Sequence, residues 1–462
     1  MRTLALVAAI TLLTLSARPA VDPTDEVMHR VMQEAHIAGA AVAIVRDGKI
    51  VRVSSYGNAN VELPSPVTAS TPFQIASATK IYSSVLLMRM VEQHRIDLDA
   101  PVTKYLPDAP RTWASITVRN LATHTSGLEG VRIDAGVVST ADAMKFAVKA
   151  TVSAKPGERA DYASFDDYTV VQYMLEKISG KPFPQLMHDE LFAPAGMTCS
   201  AFDMAEDRGP QRVAENIPGR AEYYRWIGTL NQRRWFLYTQ WAYASGGVYS
   251  CAHDMATLLA ALDAGKILSP ASLRESQSPF TLLDGSAGEF GIGWTTGSYR
   301  GHRWAGHSGG PAFSDVMYFP DDHLGIVVFT NQQRLYPELA SLLADQFITA
   351  PASYGTAGKK DDAPKLTAEA RAVLQGAAKG AADSSLFAPS QRQDYVADIN
   401  DLGPVWLGVL GPVTKMLLMS DELGADGARA RRYRVFFGDH AQAVRFRFDK
   451  DGKVISLNPH GD

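Results

Sequence analysis

A serine and a lysine lie three residues apart in Ile75–Lys80, which reads Ile-Ala-Ser-Ala-Thr-Lys. The pattern up to His94 is helix-like, so Ser77 and Lys80 should share one helix face. A serine hydroxyl is a weak nucleophile that needs a base, and a lysine amine can be that base when its surroundings favour the neutral form. Backbone N–H groups at a helix start also point toward a developing oxyanion. The pair indicates acyl transfer, although a capping serine beside a surface lysine gives the same pattern.

Two further segments carry groups suited to the same chemistry. Asp161–Ser164 reads Asp-Tyr-Ala-Ser before a helix, so Tyr162 and Ser164 can direct a phenol and a hydroxyl toward the lysine. Gly306–Gly310 reads Gly-His-Ser-Gly-Gly before a strand and can form one wall of a pocket. Its backbone N–H groups can supply a second oxyanion donor. Several such segments in order are more specific than any one of them.

Other nucleophiles and triads fit the sequence less well. Gly306–Gly310 matches Gly-x-Ser-x-Gly, the strand–serine–helix turn of α/β-hydrolases, but Pro311 and a strand pattern follow where that motif requires a helix. Ser308 is therefore the less favoured nucleophile. His124–Gly127 (His-Thr-Ser-Gly) could suggest a triad, but a turn whose side chains cap a neighbouring helix explains it better.

Together these motifs resemble the serine β-lactamase-like family, which holds class C β-lactamases, D-Ala-D-Ala carboxypeptidases and bacterial esterases of the β-lactamase type. The resemblance covers about residues 21–349. Its supporting segments are Asp97–Val102 (Asp-Leu-Asp-Ala-Pro-Val), Leu121–Leu128 (Leu-Ala-Thr-His-Thr-Ser-Gly-Leu) and Ala244–Ser250 (Ala-Ser-Gly-Gly-Val-Tyr-Ser).

The resemblance implies catalytic roles for three residues. Ser77 matches the family nucleophile, Lys80 the lysine one turn on, and Tyr162 the tyrosine of a Tyr-x-Asn motif. The implied reaction is acyl transfer through an acyl-enzyme on Ser77, with Lys80 and Tyr162 moving the proton. Which of the two is the base stays open. The implied oxyanion donors are the N–H groups of Ser77 and Gly310, and no metal or cofactor is needed.

The resemblance also implies a set of substrate-binding residues, which are Ser164, His307, Ser308, Gly309 and Gly310. Ser164 stands where most members have asparagine, which puts recognition of a substrate amide in doubt. His307-Ser308-Gly309 stands where class C β-lactamases have Lys-Thr-Gly, and members with histidine there resemble peptidases and esterases. A lysine is a permanent cation for a carboxylate, whereas a histidine is cationic only part of the time near neutral pH.

These departures rank esters or D-amino-acid peptide and amide bonds above β-lactams as substrates. One alternative is β-lactam hydrolysis or penicillin binding. The alternative of another class is a catalytically inactive binding protein with the same fold. An aromatic segment from Tyr223 to Tyr243 is predicted to pack in the core, or else to line the cleft, where it would favour apolar acyl groups.

The composition agrees with a globular enzyme. The 462 residues include 45 Lys+Arg and 49 Asp+Glu, a net charge of −4, with 46% hydrophobic and 20% charged residues, which excludes wholesale disorder and coiled coil. The mildly acidic net charge gives no positive electrostatic field that would attract nucleic acid. The predicted partner is therefore a small-molecule ester, peptide or β-lactam. The oligomeric state is left open. Two cysteines, Cys199 and Cys251, cannot by themselves form a four-ligand zinc site, and their pairing cannot be read from sequence.

The elements that must position the motifs come from both ends of the first domain. Strands are predicted over Ala41–Val45, Lys49–Val53, Val316–Phe319 and Leu324–Thr330, and helices over Lys80–His94 and Phe165–Ile178. They predict an α+β fold in which strands from both termini of the domain share a sheet. The family resemblance implies an antiparallel sheet of the β-lactamase/transpeptidase type, flanked by helices, with a helical subdomain.

Composition divides the chain into four parts. Residues 1–20 are predicted to be a signal peptide, because the apolar run Leu4–Leu15 follows a positive start and is too short to span a bilayer. The mature protein should therefore be exported, periplasmic or secreted, without a membrane span. Residues 21–349 form the hydrolase domain, 350–364 a linker, and 365–462 a small α+β domain of unknown role. The strands of that last domain are predicted over Tyr433–Phe437, Val444–Phe448 and Val454–Leu457.

Overall fold

The computed structural model describes residues 22–133, 136–162, 166–203, 205–208, 211–214, 216–310, 312–333, 339–424 and 427–460. The predicted signal peptide lies outside the described residues. The helices are α1 (Pro23–Glu34), α2 (Thr79–Glu92), α3 (Val118–Ala122), α4 (Thr140–Ala147), α5 (Asp166–Ser179), α6 (Phe183–Met187), α7 (Ala193–Ala195), α8 (Tyr243–Gly246), α9 (Ala252–Asp263), α10 (Pro270–Ser276), α11 (Leu339–Ala344), α12 (Pro364–Ala377) and α13 (Asp394–Leu410). Among the described helices, none is long and apolar enough to cross a membrane.

The strands are β1 (Gly39–Arg46), β2 (Lys49–Asn60), β3 (Ser65–Pro66), β4 (Phe73–Gln74), β5 (Ala201–Phe202), β6 (Ala205–Arg208), β7 (Gln211–Ala214), β8 (Tyr223–Ile227), β9 (Leu230–Arg234), β10 (Val248–Ser250), β11 (Thr295–Tyr299), β12 (His302–Gly309), β13 (Ala312–Phe319), β14 (Leu324–Gln333), β15 (Lys415–Leu423), β16 (Arg429–Phe437), β17 (His440–Phe448) and β18 (Val454–His460). The predicted strands and helices are all present, and the ends of the two predicted helices shift by one or two residues. The observed fold confirms the predicted α+β class.

The central sheet runs in the order β11-β12-β13-β14-β1-β2-β3, with antiparallel neighbours. Strand β1 is buried along all but its last residue, as its continuous apolar pattern predicts. It pairs with β14, which places Val42 opposite Val328. Strands from both ends of the first domain therefore lie side by side, as predicted. The β1–β2 turn at Asp47 and Gly48 has positive φ at both residues (49° and 66°), the backbone that an Asp-Gly hairpin favours.

Helix α2, which begins just after the predicted nucleophile, runs through the interior. All of its residues from Thr79 to Met88 are buried, so it has no polar face and must be covered on every side. It packs with α5, α9 and the inner face of the central sheet in one apolar core, to which Val45, Leu86, Val171 and Leu259 belong. This enclosure fixes the position of Lys80 at its start.

The C-terminal unit contains the antiparallel sheet β15-β16-β17-β18 and helices α12 and α13. Its apolar side chains share a second core with the outer face of the central sheet, as Leu374 and Val435 do with Val328. Residues 350–363, all described, contain no helix or strand. They are nevertheless packed, because Tyr354 lies against Phe436. The division at 349, 350–364 and 365–462 stays a prediction.

A disulfide bond joins Cys199 and Cys251, whose Cα atoms are 5.9 Å apart. It ties the loop before β5 to the start of α9. The buried Asp254 carboxylate accepts hydrogen bonds from the Cys199 N–H at 2.8 Å and the Ser200 hydroxyl at 2.9 Å, which holds the same loop. The sequence left this pairing open.

Replacing Cys199 and Cys251 together by serine should lower the free energy of unfolding by about 4 kcal/mol, because the bond restricts a 52-residue loop in the unfolded chain. Denaturant unfolding with and without reductant measures the loss, and the double variant is the control that should not respond to reductant. Two free thiols titrating in denatured, unreduced wild type would contradict the bond.

Candidate active site

Ser77 lies in a single 3₁₀ turn, Ala76–Ala78, between β4 and α2. The turn is sharp because Ala76 has φ +47°, a left-handed conformation that costs an alanine roughly 1–2 kcal/mol. The Ile75 carbonyl just before it accepts a hydrogen bond from the Ser314 hydroxyl on β13 at 2.6 Å. Ser77 is half-buried at the start of α2. The surrounding sheet therefore supports a strained turn that presents the serine.

Lys80 is buried, with 3% of the residue exposed. Its Nζ donates to the Tyr162 Oη at 3.0 Å and to the Ser245 carbonyl at 2.9 Å. Among the described residues, no carboxylate forms an ion pair with it. Ser77 and Lys80 occupy successive turns, and Tyr162 reaches Lys80 from the loop before α5. The structure thus places Tyr162 in contact with Lys80, one turn beyond Ser77, and the catalytic roles of the three residues stay a prediction.

The Tyr162 ring is held by aromatic side chains on several sides. It stacks on Phe290 with ring centroids 5.3 Å apart and an interplanar angle of 18°. His124 meets it edge-on at 4.8 Å, and His307 lies 5.8 Å away. Phe290 and His124 were not predicted to belong to the site, because their loops become neighbours only through the folded sheet and α5. The hydroxyl of Tyr162 is directed by this packing as well as by Lys80.

His307 lies on β12 and is buried. Its Nδ1 donates to the Ser308 carbonyl at 2.6 Å, and its Nε2 has no hydrogen-bond partner among the described residues. Burial, together with the charge of Lys80, lowers the pKa of His307 to about 3. The sequence-based expectation of a histidine partly cationic near neutral pH is therefore wrong, since His307 is neutral there.

The end of β12 packs directly on the nucleophile turn. A Cβ added at Gly309 would lie 2.2 Å from the Ile75 carbonyl oxygen and 3.0 Å from the Ser77 backbone nitrogen. Only glycine allows this approach, which places the Gly309–Gly310 backbone beside Ser77. The Gly310 carbonyl accepts a hydrogen bond from Tyr238 at 3.3 Å. The assignment of the Ser77 and Gly310 N–H groups as oxyanion donors stays a prediction.

The remaining predicted residues have different outcomes. Ser164 lies outside the described residues. Ser308 is half-buried within β12 and pairs across to Asp315 on β13, so a strand follows it rather than a helix. The α/β-hydrolase motif requires a helix after its serine, so the observed strand agrees with the lower preference given to Ser308 as the nucleophile.

The His124 turn lies directly behind the site. His124 Nδ1 is 3.4 Å from the Asp167 carboxyl, whose other oxygen accepts a hydrogen bond from Ser126 at 2.6 Å. Burial first, and the charge of Lys80 second, lower the pKa of His124 to about 3, and burial raises the pKa of Asp167 well above its usual range. Both shifts disfavour the charged form of each group. The residues of this turn support Tyr162 as well as forming the turn that the sequence predicted.

The aromatic segment from Tyr223 to Tyr243 is buried in part, as core packing predicts, and its alternative role of lining the cleft stays a prediction. Tyr238 is buried against Gly246 and reaches Gly310. Phe236 packs edge-on against Tyr238 at 4.9 Å but is 44% exposed, and Trp235 is 72% exposed. Part of the segment is core, and part presents apolar rings to solvent, with Phe236 packed on the Tyr238 ring that reaches Gly310.

The fold and this constellation are those of a serine hydrolase of the β-lactamase type. A model of the β-lactamase family, described as "Beta-lactamase", matches residues 24–348. The chain belongs to this family.

Individual relatives agree with that assignment. The chain is 29% identical over 307 residues to a Bacillus subtilis (strain 168) protein named "Putative penicillin-binding protein PbpX", covering 66% of this chain and 73% of that protein. The D-amino acid amidase of Ochrobactrum anthropi SV3 has a similar fold, with a TM-score of 0.55 and 24% identity over 66% of this chain and 91% of that one. EstCE1, a hydrolase with promiscuous acyltransferase activity, has a similar fold, with a TM-score of 0.53 and 20% sequence identity. The match covers 67% of this chain and 93% of that one.

We expect His307 to make the protein less stable in acid. Its pKa is about 3 when folded against 6.5 when unfolded, so between these values the unfolded chain binds more protons. The free energy of unfolding should fall as the pH falls through this window, by up to about 1.4 kcal/mol per pH unit from this residue. His307→Gln should reduce that slope in urea unfolding at a series of pH values.

His323→Gln is a control of opposite sign. The Asp263 carboxylate raises the pKa of the exposed His323, so this residue stabilises below pH 6.5 and its contribution is lost as the pH rises through its folded pKa. The control should lose stability in acid rather than gain it. A slope between pH 3 and 6.5 that His307→Gln leaves unchanged would contradict the buried, neutral histidine.

Proposed function

We propose that this β-lactamase-family protein is an exported serine hydrolase that works through an acyl-enzyme on Ser77. Its substrates are esters or D-amino-acid peptide and amide bonds. The observation that carries the proposal is the hydrogen bond from buried Lys80 to the Tyr162 hydroxyl, one helical turn beyond a serine in a strained turn. A nucleophile, two proton-transfer groups and a glycine-lined strand edge are assembled there.

The reaction proceeds in two acyl transfers. Ser77 Oγ attacks the substrate carbonyl and its proton passes to the Lys80–Tyr162 pair, which leaves either group as the base. The N–H groups of Ser77 and Gly310 stabilise the tetrahedral oxyanion. The leaving alcohol or amine then takes the proton as its bond to the carbonyl breaks. Water repeats the sequence on the acyl-enzyme and releases the acid.

The neutral His307 side chain on β12 supports uncharged acyl donors over β-lactams as substrates. His307 is neutral near neutral pH, so this position offers no permanent cation to a substrate carboxylate, whereas class C β-lactamases place a lysine there. The exposed ring of Phe236 packs on Tyr238, which donates to the Gly310 carbonyl, and this supports a preference for apolar acyl or leaving groups. β-Lactam hydrolysis or penicillin binding remains the second candidate, favoured by the name of the PbpX relative.

A catalytically inactive binding protein is the alternative of another class. Such a binding protein would need no lysine directed at a phenol. Burying the lysine amine costs stability unless its hydrogen bonds are formed. The assembled Ser77, Lys80 and Tyr162 therefore support turnover.

Export is proposed from two independent features. The sequence begins with a positively charged and then apolar leader of the secretory type. The Cys199–Cys251 disulfide fits an oxidising compartment, the periplasm or the cell exterior, because cytosolic thiols are kept reduced.

Ser77→Ala should abolish covalent labelling. Wild type mixed with p-nitrophenyl butyrate or a fluorescent penicillin should gain the mass of one acyl group on the intact protein, and nitrophenol should be released faster than the penicillin is turned over. Ser70→Ala, which removes an exposed serine from the same region, is the matched control and should label like wild type.

Two results would overturn this proposal. Labelling lost in Ser308→Ala but kept in Ser77→Ala would move the nucleophile to β12. No labelling of folded wild type by either reagent would favour the inactive binding protein.

Tyr162→Phe should slow acylation by roughly 10²–10⁴-fold without lowering the unfolding midpoint. The phenylalanine ring can keep the stacking on Phe290, but the oxygen to which Lys80 donates is lost. Stopped-flow acylation of the variant measures the change, with Tyr173→Phe on α5 as the control. A rate equal to that of wild type would show that Lys80 moves the proton without the phenol.

A further inference from the structure

The Tyr238 side chain contacts two backbone segments of the site at once. A Cβ added at Gly246 would lie 2.4, 2.5 and 2.7 Å from three atoms of the Tyr238 phenol, so the phenol packs directly on that glycine. Gly246 follows Ser245, whose carbonyl accepts the hydrogen bond from Lys80. The Tyr238 hydroxyl donates to the Gly310 carbonyl at 3.3 Å. One side chain therefore joins the lysine side of the site to the end of β12.

Burial and neighbouring contacts fix the position of Tyr238. The residue is 5% exposed, and the Phe236 ring meets it edge-on at 4.9 Å. The Phe236 carbonyl accepts a hydrogen bond from the Gln74 side chain at 2.8 Å, and Gln74 ends β4 three residues before Ser77. Burial raises the pKa of Tyr238, so its hydroxyl stays protonated and remains a donor.

Gly310 lies where strand pairing no longer restrains the backbone. Over the described residues, the pairing of β12 with β13 ends with Gly309 opposite Ser314, and Gly310 lies beyond it. Two successive glycines have more backbone freedom than any other pair of residues. The direction of the Gly310 N–H therefore depends on contacts from outside the strand. The hydrogen bond from Tyr238 is such a contact, and it also satisfies the donor of a buried phenol.

We propose that Tyr238 is a positioning residue for the oxyanion site. By holding the Gly310 carbonyl, it directs the Gly310 N–H toward the oxyanion that forms when Ser77 attacks. This inference rests on the proposed function, in which that N–H is an oxyanion donor. Tyr238 exchanges no proton with the substrate and acts through the glycine backbone. Because the oxyanion exists only after attack, its effect belongs to the rate of acylation rather than to substrate binding.

Tyr238→Phe tests the hydroxyl, because the ring can keep its packing on Gly246 and Phe236. The maximal acylation rate with p-nitrophenyl butyrate, measured by stopped flow, should fall by about tenfold. This is less than the roughly 10²–10³-fold that removal of one oxyanion donor costs, since the Gly310 N–H is misdirected rather than lost. The ester concentration at half-saturation should change by less than about twofold.

Phenylboronic acid gives a second readout, one that follows the tetrahedral state. The Ser77 oxygen adds to boron and its proton passes to the Lys80–Tyr162 pair, which leaves a tetrahedral boronate anion with an oxygen in the oxyanion site. Its affinity for Tyr238→Phe should fall by about the same factor as the acylation rate.

Tyr395→Phe is the matched control. It removes a tyrosine hydroxyl that donates to a backbone carbonyl, that of Leu457 in the C-terminal unit, at 2.9 Å. Both its acylation rate and its boronate affinity should equal those of wild type. Tyr238→Met, which fills the space without a hydroxyl, is the second variant and should show the same losses if Tyr238→Phe does not fold.

Three results would overturn the role of Tyr238. A folded hydroxyl-free variant could acylate at the wild-type rate, its half-saturation could change in place of its rate, or its boronate affinity could stay at the wild-type value while the rate falls. Each of these requires that wild type is labelled on Ser77. A folded wild type that is not labelled, like Ser77→Ala, would instead overturn the hydrolase proposal and this one with it, so the two failures are distinguishable.

Discussion

The burial of Lys80, which forms no ion pair with a carboxylate in the described part of the chain, is the constraint on which the rest of the site depends. Among the described residues its Nζ donates to the Tyr162 hydroxyl and the Ser245 carbonyl, and a buried amine needs such partners to offset the loss of water. Burial, with Lys80 as the second cause, lowers the pKa of both His124 and His307 to about 3. Buried Lys80 thus orients the phenol, and burial, which it reinforces, keeps both neighbouring imidazoles neutral. The neutral β12 wall, from which the proposed substrate preference follows, results from burial first and from Lys80 second.

Close packing of backbone segments at two glycines also holds the site in place. Gly309 brings β12 against the Ser77 turn, and Gly293 lies so near α2 that an added Cβ would be 2.5 Å from the Lys80 carbonyl oxygen. Neither approach tolerates a side chain, so the sheet and α2 are fixed with respect to each other on both sides of the nucleophile. That rigidity is what allows Ala76 to persist in a left-handed conformation.

Local patterns in the sequence were sufficient to predict the helices, the strands and the main motifs. The Asp47–Gly48 turn and the apolar runs beside it predicted the β1–β2 hairpin, and strand patterns at both ends of the domain predicted a shared sheet. Long-range consequences were not readable in this way. The protonation of His307, the support that His124 gives Tyr162 and the cysteine pairing all depend on which segments meet in space, and no spacing in the chain records that.

The C-terminal unit packs on the outer side of the central sheet and also contacts residues next to the proposed catalytic site. Its apolar face shares a core with the outer side of the central sheet, where Trp304 lies on the same strand as His307. Successive side chains of β12 alternate between faces, so Trp304 faces this outer core while His307 contacts the Tyr162 ring. Arg445 of the unit also lies beside Glu289, next in sequence to the Phe290 ring that stacks on Tyr162. The C-terminal unit therefore contacts both the strand that carries His307 and the loop that carries Phe290, the two residues whose rings lie beside the Tyr162 phenol.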